Sequence, residues 1–235
     1  MLVEQSSPLR RLPASADRRT VLFLDGIRYS IEIGDLSFGR LSKTLERIAE
    51  LGESNEGLAA MIVEAVSDAW VLVDSIHRLR SLVAQLPGLK QNQPAVQAFL
   101  RGTLSADTFR NYVQHFRSGI DGFVTSGRPL WGTLSWSQVC SITGLPKSHV
   151  VIPGTFYAGV GAATGLFDTP AGRFEDTLVL HAGEAQVDLK SAFERLGTFS
   201  RWFQYWAADT FRDPNTLGSD MHLQVAVKLV PRPQP

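Results

Sequence analysis

The chain has 235 residues, of which 44% are hydrophobic and 20% are charged, a composition typical of a globular protein with one ordinary core. Lysine plus arginine equals aspartate plus glutamate at 23 each, so net charge does not favour nucleic acid or acidic lipid, although a local basic patch is compatible with it. No uncharged apolar run is long enough to cross a bilayer, which argues against a membrane protein.

A single cysteine, Cys140, limits the redox chemistry open to the chain. One thiol can form neither an internal disulfide nor a multi-cysteine zinc site. A reducing compartment is the simpler environment for such a chain, so we predict a cytoplasmic protein.

Residues 1–20 combine four arginines with serine and proline, and they lack the apolar segment of a secretory signal. Prolines and clustered like charges favour extended, solvated chain. We therefore predict a disordered tail at 1–20 and a second short tail at 231–235.

Two long helical patterns follow the first tail. The segment 21–51 has a mostly helical apolar spacing that is interrupted near Gly34 and Gly39, which predicts one kinked helix or two short ones. The segment 58–83 carries an apolar residue every three or four positions and ends before Pro87, which predicts a long amphipathic helix.

Two shorter helices should cover the long one. Proline at the first helical position predicts a third helix from Pro94, and Ser105 is a suitable N-cap for a fourth. We assign residues 21–128 to a helical bundle.

After Pro129 the sequence becomes rich in β-forming and alternating residues, which predicts a small, mostly antiparallel sheet. A helix over 188–211, capped by Asp188, should lie between its third and fourth strands. The predicted strands are 131–139, 149–157, 177–181 and 221–229. Residues 129–230 should pack on the bundle as one globular unit, and the fold class is α+β.

The glycine-rich segment 159–165 follows a predicted strand, as a dinucleotide-binding loop does. The following residues, 166–172, contain proline and glycine and cannot open the helix that would hold a pyrophosphate. We predict a hairpin loop that binds no nucleotide cofactor.

Three histidines, His149, His181 and His222, lie on or beside predicted strands. No two of them share a metal-ligand spacing, so isolated histidines are the favoured interpretation, and we predict no metal site.

Three polar residues, Asp74, His77 and Arg78, lie on the long helix three and four residues apart. At this spacing the carboxylate can orient the imidazole and pair with the guanidinium. The group is either a surface ion pair or a support for a site on a neighbouring helix.

The candidate chemical site is the sequence from Arg110 to His115. Helical spacing places Asn111 and His115 on one face, and Arg110 can reach them with its long side chain. Such a trio can cleave RNA without a metal: His115 acts as general acid or base, Arg110 neutralises the phosphate, and Asn111 holds the geometry.

The motif R-N-Y-V-Q-H resembles the motif of HEPN-domain ribonucleases, in which arginine is followed by asparagine, aspartate or histidine, then by three residues and a histidine. The resemblance covers about residues 20–125. It implies a catalytic site formed across a homodimer, with RNA as substrate and, in toxin systems, an antitoxin as partner. The family also contains members that only bind RNA, nucleotides or proteins.

Two functions follow as hypotheses. The first is a metal-independent endoribonuclease of HEPN type, for instance a toxin or defence effector, with a homodimer formed through the face of the fourth helix. There Tyr112 and Phe116 would offer apolar contact. The second is a non-catalytic HEPN-like module that binds RNA or a protein partner. A third interpretation gives Arg110 and His115 no role beyond an exposed helix surface.

Overall fold

The computed structural model describes residues 1–51, 56–114, 120–121, 124, 129–139, 146–154, 177–213, 215–222 and 224. They form helices, then a small antiparallel sheet, then a long helix, which confirms the predicted α+β class. None of the described helices is both long and apolar enough to span a lipid bilayer.

The first two helices, α1 (Arg18–Glu50) and α2 (Leu58–Gln85), pack against each other over most of their lengths. The helix α1 is continuous through Gly34 and Gly39, so of the two predicted alternatives, one kinked helix or two short ones, the second is wrong. A Cβ at Gly34 would lie 2.9 Å from the side chain of Leu196 and 3.1 Å from the hydroxyl of Ser75. The glycine therefore permits close approach between helices and does not end one.

Two short helices follow, α3 (Pro94–Gly102) and α4 (Ser105–Gln114). The helix α3 begins at Pro94, as the sequence predicts, because the fixed backbone angle of proline suits the first turn. Ser105, predicted as the N-cap of the next helix, is the first residue of α4. The side chain of Phe109 is fully buried and anchors α4 in the core.

The strands of the sheet are β1 (Thr133–Val139), β2 (Pro146–Val151), β3 (Leu178–Ala182) and β4 (Ala185–Asp188). They lie in the order β2-β1-β3-β4, and all neighbours are antiparallel. Leu134, Leu180 and Val187 are paired across the strands, so they share one face, and all three are buried. This apolar face belongs to the common core.

The strand β4, which a tight turn at Gly183 joins to β3, is not among the predicted strands. Most of the predicted strand 221–229 lies outside the described residues. Four residues are too few for alternation to stand out in a sequence. The last helix, α5 (Leu189–Thr210), agrees with prediction: Asp188 caps it by accepting hydrogen bonds from the amides of Lys190 and Ser191.

The N-terminal segment is folded, which corrects the predicted tail at 1–20. Val3 and Leu9 are fully buried, Pro8–Arg10 forms a 3₁₀ turn, and the hydroxyl of Ser200 donates to the carbonyl oxygen of Leu2 at 2.9 Å. A few apolar side chains hold the segment against α5. The average composition of residues 1–20 gives no indication that these side chains are buried.

The predicted loop at 159–172 and the predicted tail at 231–235 lie outside the described residues.

Candidate functional site

The motif helix presents Arg110 and Asn111 to solvent, since both residues are exposed on α4. The buried side chain of Phe109 fixes the helix beneath them. His115 lies outside the described residues, so the structure brings together two of the three predicted site residues.

Arg110 lies at the edge of a cavity of about 250 Å³ between α2, α4 and the loop before β1. The ring of Trp70 lies 5.5 Å from that of Phe109, and its indole nitrogen donates to the carbonyl oxygen of Trp131 at 3.1 Å. The indole of Trp131 is 52% exposed. The cavity is lined by Trp70, Val71, Val73, Asp74, Phe109, Arg110 and Trp131. A cation thus borders an open aromatic surface.

Tyr112 makes contacts within its own chain. Its ring is stacked 6.0 Å from that of Trp70, and its hydroxyl donates to the carbonyl oxygen of Leu130 at 2.8 Å. Tyr112 thus packs within its own chain, and Phe116, the other residue expected at the dimer contact, lies outside the described residues.

A cluster of three charged or polar residues fastens α4 to α2. The carboxylate of Asp107 accepts from Arg80, with Nη2 at 2.7 Å and Nε at 3.1 Å, and it lies 2.7 Å from Nδ1 of His77. Arg80 is 9% exposed, and its Nη1 also donates to the hydroxyl of Thr103 at 3.0 Å. Burial alone raises the pKa of Asp107, but the hydrogen bonds and charges of Arg80 and His77 outweigh it, so the pKa is lowered.

The predicted group on α2 is only partly formed. Arg78 donates to Asp74 at 2.6 Å in an exposed pair, as the spacing predicts. Asp107 holds the imidazole of His77, where Asp74 was expected to do so. The sequence offered one signal for this cluster, because Arg80 follows His77 at a three-residue spacing and can share its face of the helix.

The strand histidines lie apart. The ring of His149 stacks 4.9 Å from that of Trp136, while Nε2 of His181 lies 3.0 Å from the hydroxyl of Ser135. The strand register places His149 and His181 on opposite faces of the sheet, so they cannot share a metal ion. Burial lowers the pKa of both imidazoles, with the charge of Lys147 contributing at His149.

No protein-family model matches the chain, and searches of curated proteins and of solved structures find no similar protein. The likeness to HEPN proteins therefore rests on the motif at Arg110 and its position in a helical bundle.

Proposed function

We propose that the protein is a metal-independent endoribonuclease that cuts single-stranded RNA at the exposed surface of α4. The observation that carries the proposal is Arg110, an exposed guanidinium at the rim of the aromatic cavity beside Trp131. An unpaired nucleotide offers the matching chemistry, because its base can stack on an indole while its phosphate pairs with the guanidinium.

The size of the cavity supports a nucleotide as the recognised unit. A volume of about 250 Å³ suits one ring system, and the lining is mostly apolar and aromatic. Stacking of a base on an aromatic side chain contributes about 1–3 kcal/mol, and it tolerates different bases. Binding here would hold RNA in an extended, unpaired form next to Arg110.

The proposed reaction is an internal transesterification. His115 removes the proton of a 2′-hydroxyl, whose oxygen forms a bond to phosphorus while the bond from phosphorus to the 5′-oxygen breaks. A second imidazole, from the partner subunit's copy of the motif, donates a proton to that leaving oxygen. Arg110 neutralises the charge on the phosphate, and Asn111 positions it.

The Asp107 cluster supports this arrangement mechanically. It ties the first turn of α4 to α2, the helix that also contributes Trp70 and Asp74 to the cavity. Arg110 lies one turn after Asp107, so its backbone is fixed relative to the cavity wall.

The test is cleavage of labelled single-stranded RNA in the presence of EDTA, with analysis of the product ends. We expect 2′,3′-cyclic phosphate ends, no cleavage of DNA, and a loss of rate on the order of 10² to 10⁴ for His115→Ala and for Arg110→Ala. Arg101→Ala, which removes another exposed arginine from the neighbouring helix, is the matched control and should retain activity. Cleavage that persists in the folded Arg110/His115 double variant would contradict the assignment.

A non-catalytic binding module is the second candidate, and the apolar lining of the cavity favours it, since such a lining suits binding of a base or an aromatic side chain. RNA or a protein partner such as an antitoxin would then bind at Trp131 without reaction. Binding that Trp131→Ala abolishes, with no cleavage by the wild-type protein, would establish this candidate over the first.

A further inference from the structure

A second polar site lies on α1, where the carboxylate of Asp220 is bound on both oxygens. Arg28 donates from Nη1 to Oδ2 at 2.8 Å and from Nη2 to Oδ1 at 2.7 Å. The hydroxyl of Tyr29 donates to Oδ1 at 2.7 Å, and Nη1 of Arg10 lies 3.9 Å from Oδ2. This is the paired, charge-assisted geometry with which proteins recognise carboxylates.

The cation of this site is buried and held by its own helix. Arg28 is 2% exposed, and its guanidinium carbon lies 4.4 Å from the ring centroid of Tyr29. The carboxylates of Glu32 and Asp25 lie 3.5 and 3.9 Å from it and balance part of its charge, while its Nε is buried without a hydrogen-bond partner. The two hydrogen bonds of the guanidinium both go to Asp220.

The bound carboxylate comes from an exposed segment, residues 215–220, which we call the C-terminal strap. All of its residues are exposed. Two backbone hydrogen bonds fasten it to the N-terminal segment, from Ala14 to the oxygen of Asn215 at 2.9 Å and from Leu217 to the oxygen of Leu12 at 2.8 Å. A segment without buried side chains opens at low free energy, so the occupant can leave while the site stays in place.

A cavity lies beside the bound carboxylate of Asp220. This cavity of about 370 Å³ lies between the C-terminal strap and α1, and Leu12 and Val21 give it an apolar wall next to Arg28. A chain segment that binds there can place an acidic side chain on Arg28 and an apolar one on that wall.

We propose that Arg28 and Tyr29 form a binding site for an extended acidic peptide, and that Asp220 is the resident ligand which such a peptide displaces. The C-terminal strap shows the binding mode, because Thr216 pairs with Pro13 as an added strand does and Asp220 follows four residues later. A partner protein would therefore supply an extended segment with aspartate or glutamate about four residues after the paired position. The site uses no residue of the α4 surface and does not depend on RNA chemistry.

The test uses the full chain with Asp220→Ala, which removes the resident carboxylate from Arg28 and Tyr29, and a fluorescent peptide with the sequence of residues 212–224. Fluorescence anisotropy should show binding to the variant at least about tenfold tighter than to the wild type, whose site is filled. A peptide with asparagine in place of the aspartate should bind about tenfold more weakly, because it loses the charge that Arg28 recognises.

Two further variants separate recognition from folding. In the Asp220→Ala background, Tyr29→Phe removes one donor and keeps the ring, so affinity should fall by roughly threefold to tenfold. Tyr205→Phe, at an exposed tyrosine of α5 that does not line the cavity, should have no effect. If Asp220→Ala does not fold, Asp220→Asn replaces it in the same assay. A folded variant that binds neither peptide, or binds the acidic and the amide peptide equally, overturns the proposal.

Discussion

At the scale of single residues, Asp107 has the widest influence on the candidate site. Its carboxylate holds an arginine and a histidine of α2 from the first turn of α4, and a carboxylate in a first turn also meets the favourable end of the helix dipole. Arg80 would remain buried without its ionic partner if Asp107 were removed.

We expect Asp107→Ala to lower the free energy of unfolding by about 1–3 kcal/mol, the cost of leaving a buried charged group without its partner. Asp74→Ala is the matched control, because it removes an exposed pair, and it should change stability by less than about 1 kcal/mol. Urea denaturation of both variants measures the difference. Equal effects would mean that the cluster does not fasten the helices.

Acid should weaken the contact of Asp220 with Arg28. Hydrogen bonds from Arg28 and Tyr29 hold the pKa of Asp220 well below its ordinary value of 3.8. The stability that the contact provides is therefore fully present above pH 3.8, and it declines as pH falls below that value, because the unfolded chain takes up the proton first. The stability difference between wild type and Asp220→Asn should shrink below about pH 4 in urea titrations. A difference that stays constant with pH would contradict this.

The sequence predicted the neighbours of a candidate-site residue only where they are also close along the chain. Arg110 and Asn111 are exposed neighbours, as a helical motif requires. The bond between His77 and Asp107 joins residues 30 positions apart, and the carbonyl contact of Trp70 with Trp131 joins residues 61 apart. Such contacts arise from how helices pack, which local spacing does not encode.

At the scale of elements, periodicity predicted the helices better than the strands. The long apolar repeat defines α2, and Asp188 marks the start of α5. The sequence pattern did not predict β4, which has only four residues. Its stability comes from the hairpin with β3 and from burial of Val187, which a local pattern does not encode. The two glycines of α1 do not divide it into two helices, because packing outweighs helix propensity there.

The two glycines of α1 should respond in opposite ways to alanine. Gly34→Ala places a methyl group against Leu196 and Ser75 and should destabilise the protein by about 1–3 kcal/mol, less the gain in helix propensity. Gly39→Ala meets no atom within 4 Å and should stabilise it by about 0.5–1 kcal/mol. Thermal unfolding of both variants tests the contrast. A stabilising Gly34→Ala would mean that the helices do not meet as closely as described.

At the scale of the whole molecule, the two ends of the described chain meet. The N-terminal segment packs on α5, and the C-terminal strap pairs with that segment. The composition of the chain could not predict this contact between its two ends, because the contacting residues are about 200 positions apart. The hydrogen bond from Ser200 to Leu2, for example, joins residues 198 positions apart.

The N-terminal segment should therefore contribute to stability. We expect Leu9→Ala to cost about 2–4 kcal/mol, since it empties a fully buried site in the core. Leu22→Ala, at a leucine that is 63% exposed, should change stability by no more than about 0.5 kcal/mol. Urea denaturation measures the free energy of unfolding of both variants. A Leu9→Ala variant as stable as wild type would restore the interpretation of residues 1–20 as a tail.

A catalytic site formed by two subunits requires the protein to be a dimer. If Arg110 and His115 act from two subunits, the protein should be a dimer by light scattering, and its contact should use the exposed polar surface of α4, because Tyr112 is packed against Trp70. Mixed subunits then give a sharp test. Wild-type protein that is unfolded and refolded with an excess of His115→Ala protein should lose almost all of its ribonuclease activity, since a mixed dimer retains only one of the two imidazoles that the reaction uses. A monomer at all concentrations, or an activity that stays proportional to the amount of wild-type chain in the mixture, would contradict the composite site and leave any activity to the residues of a single chain.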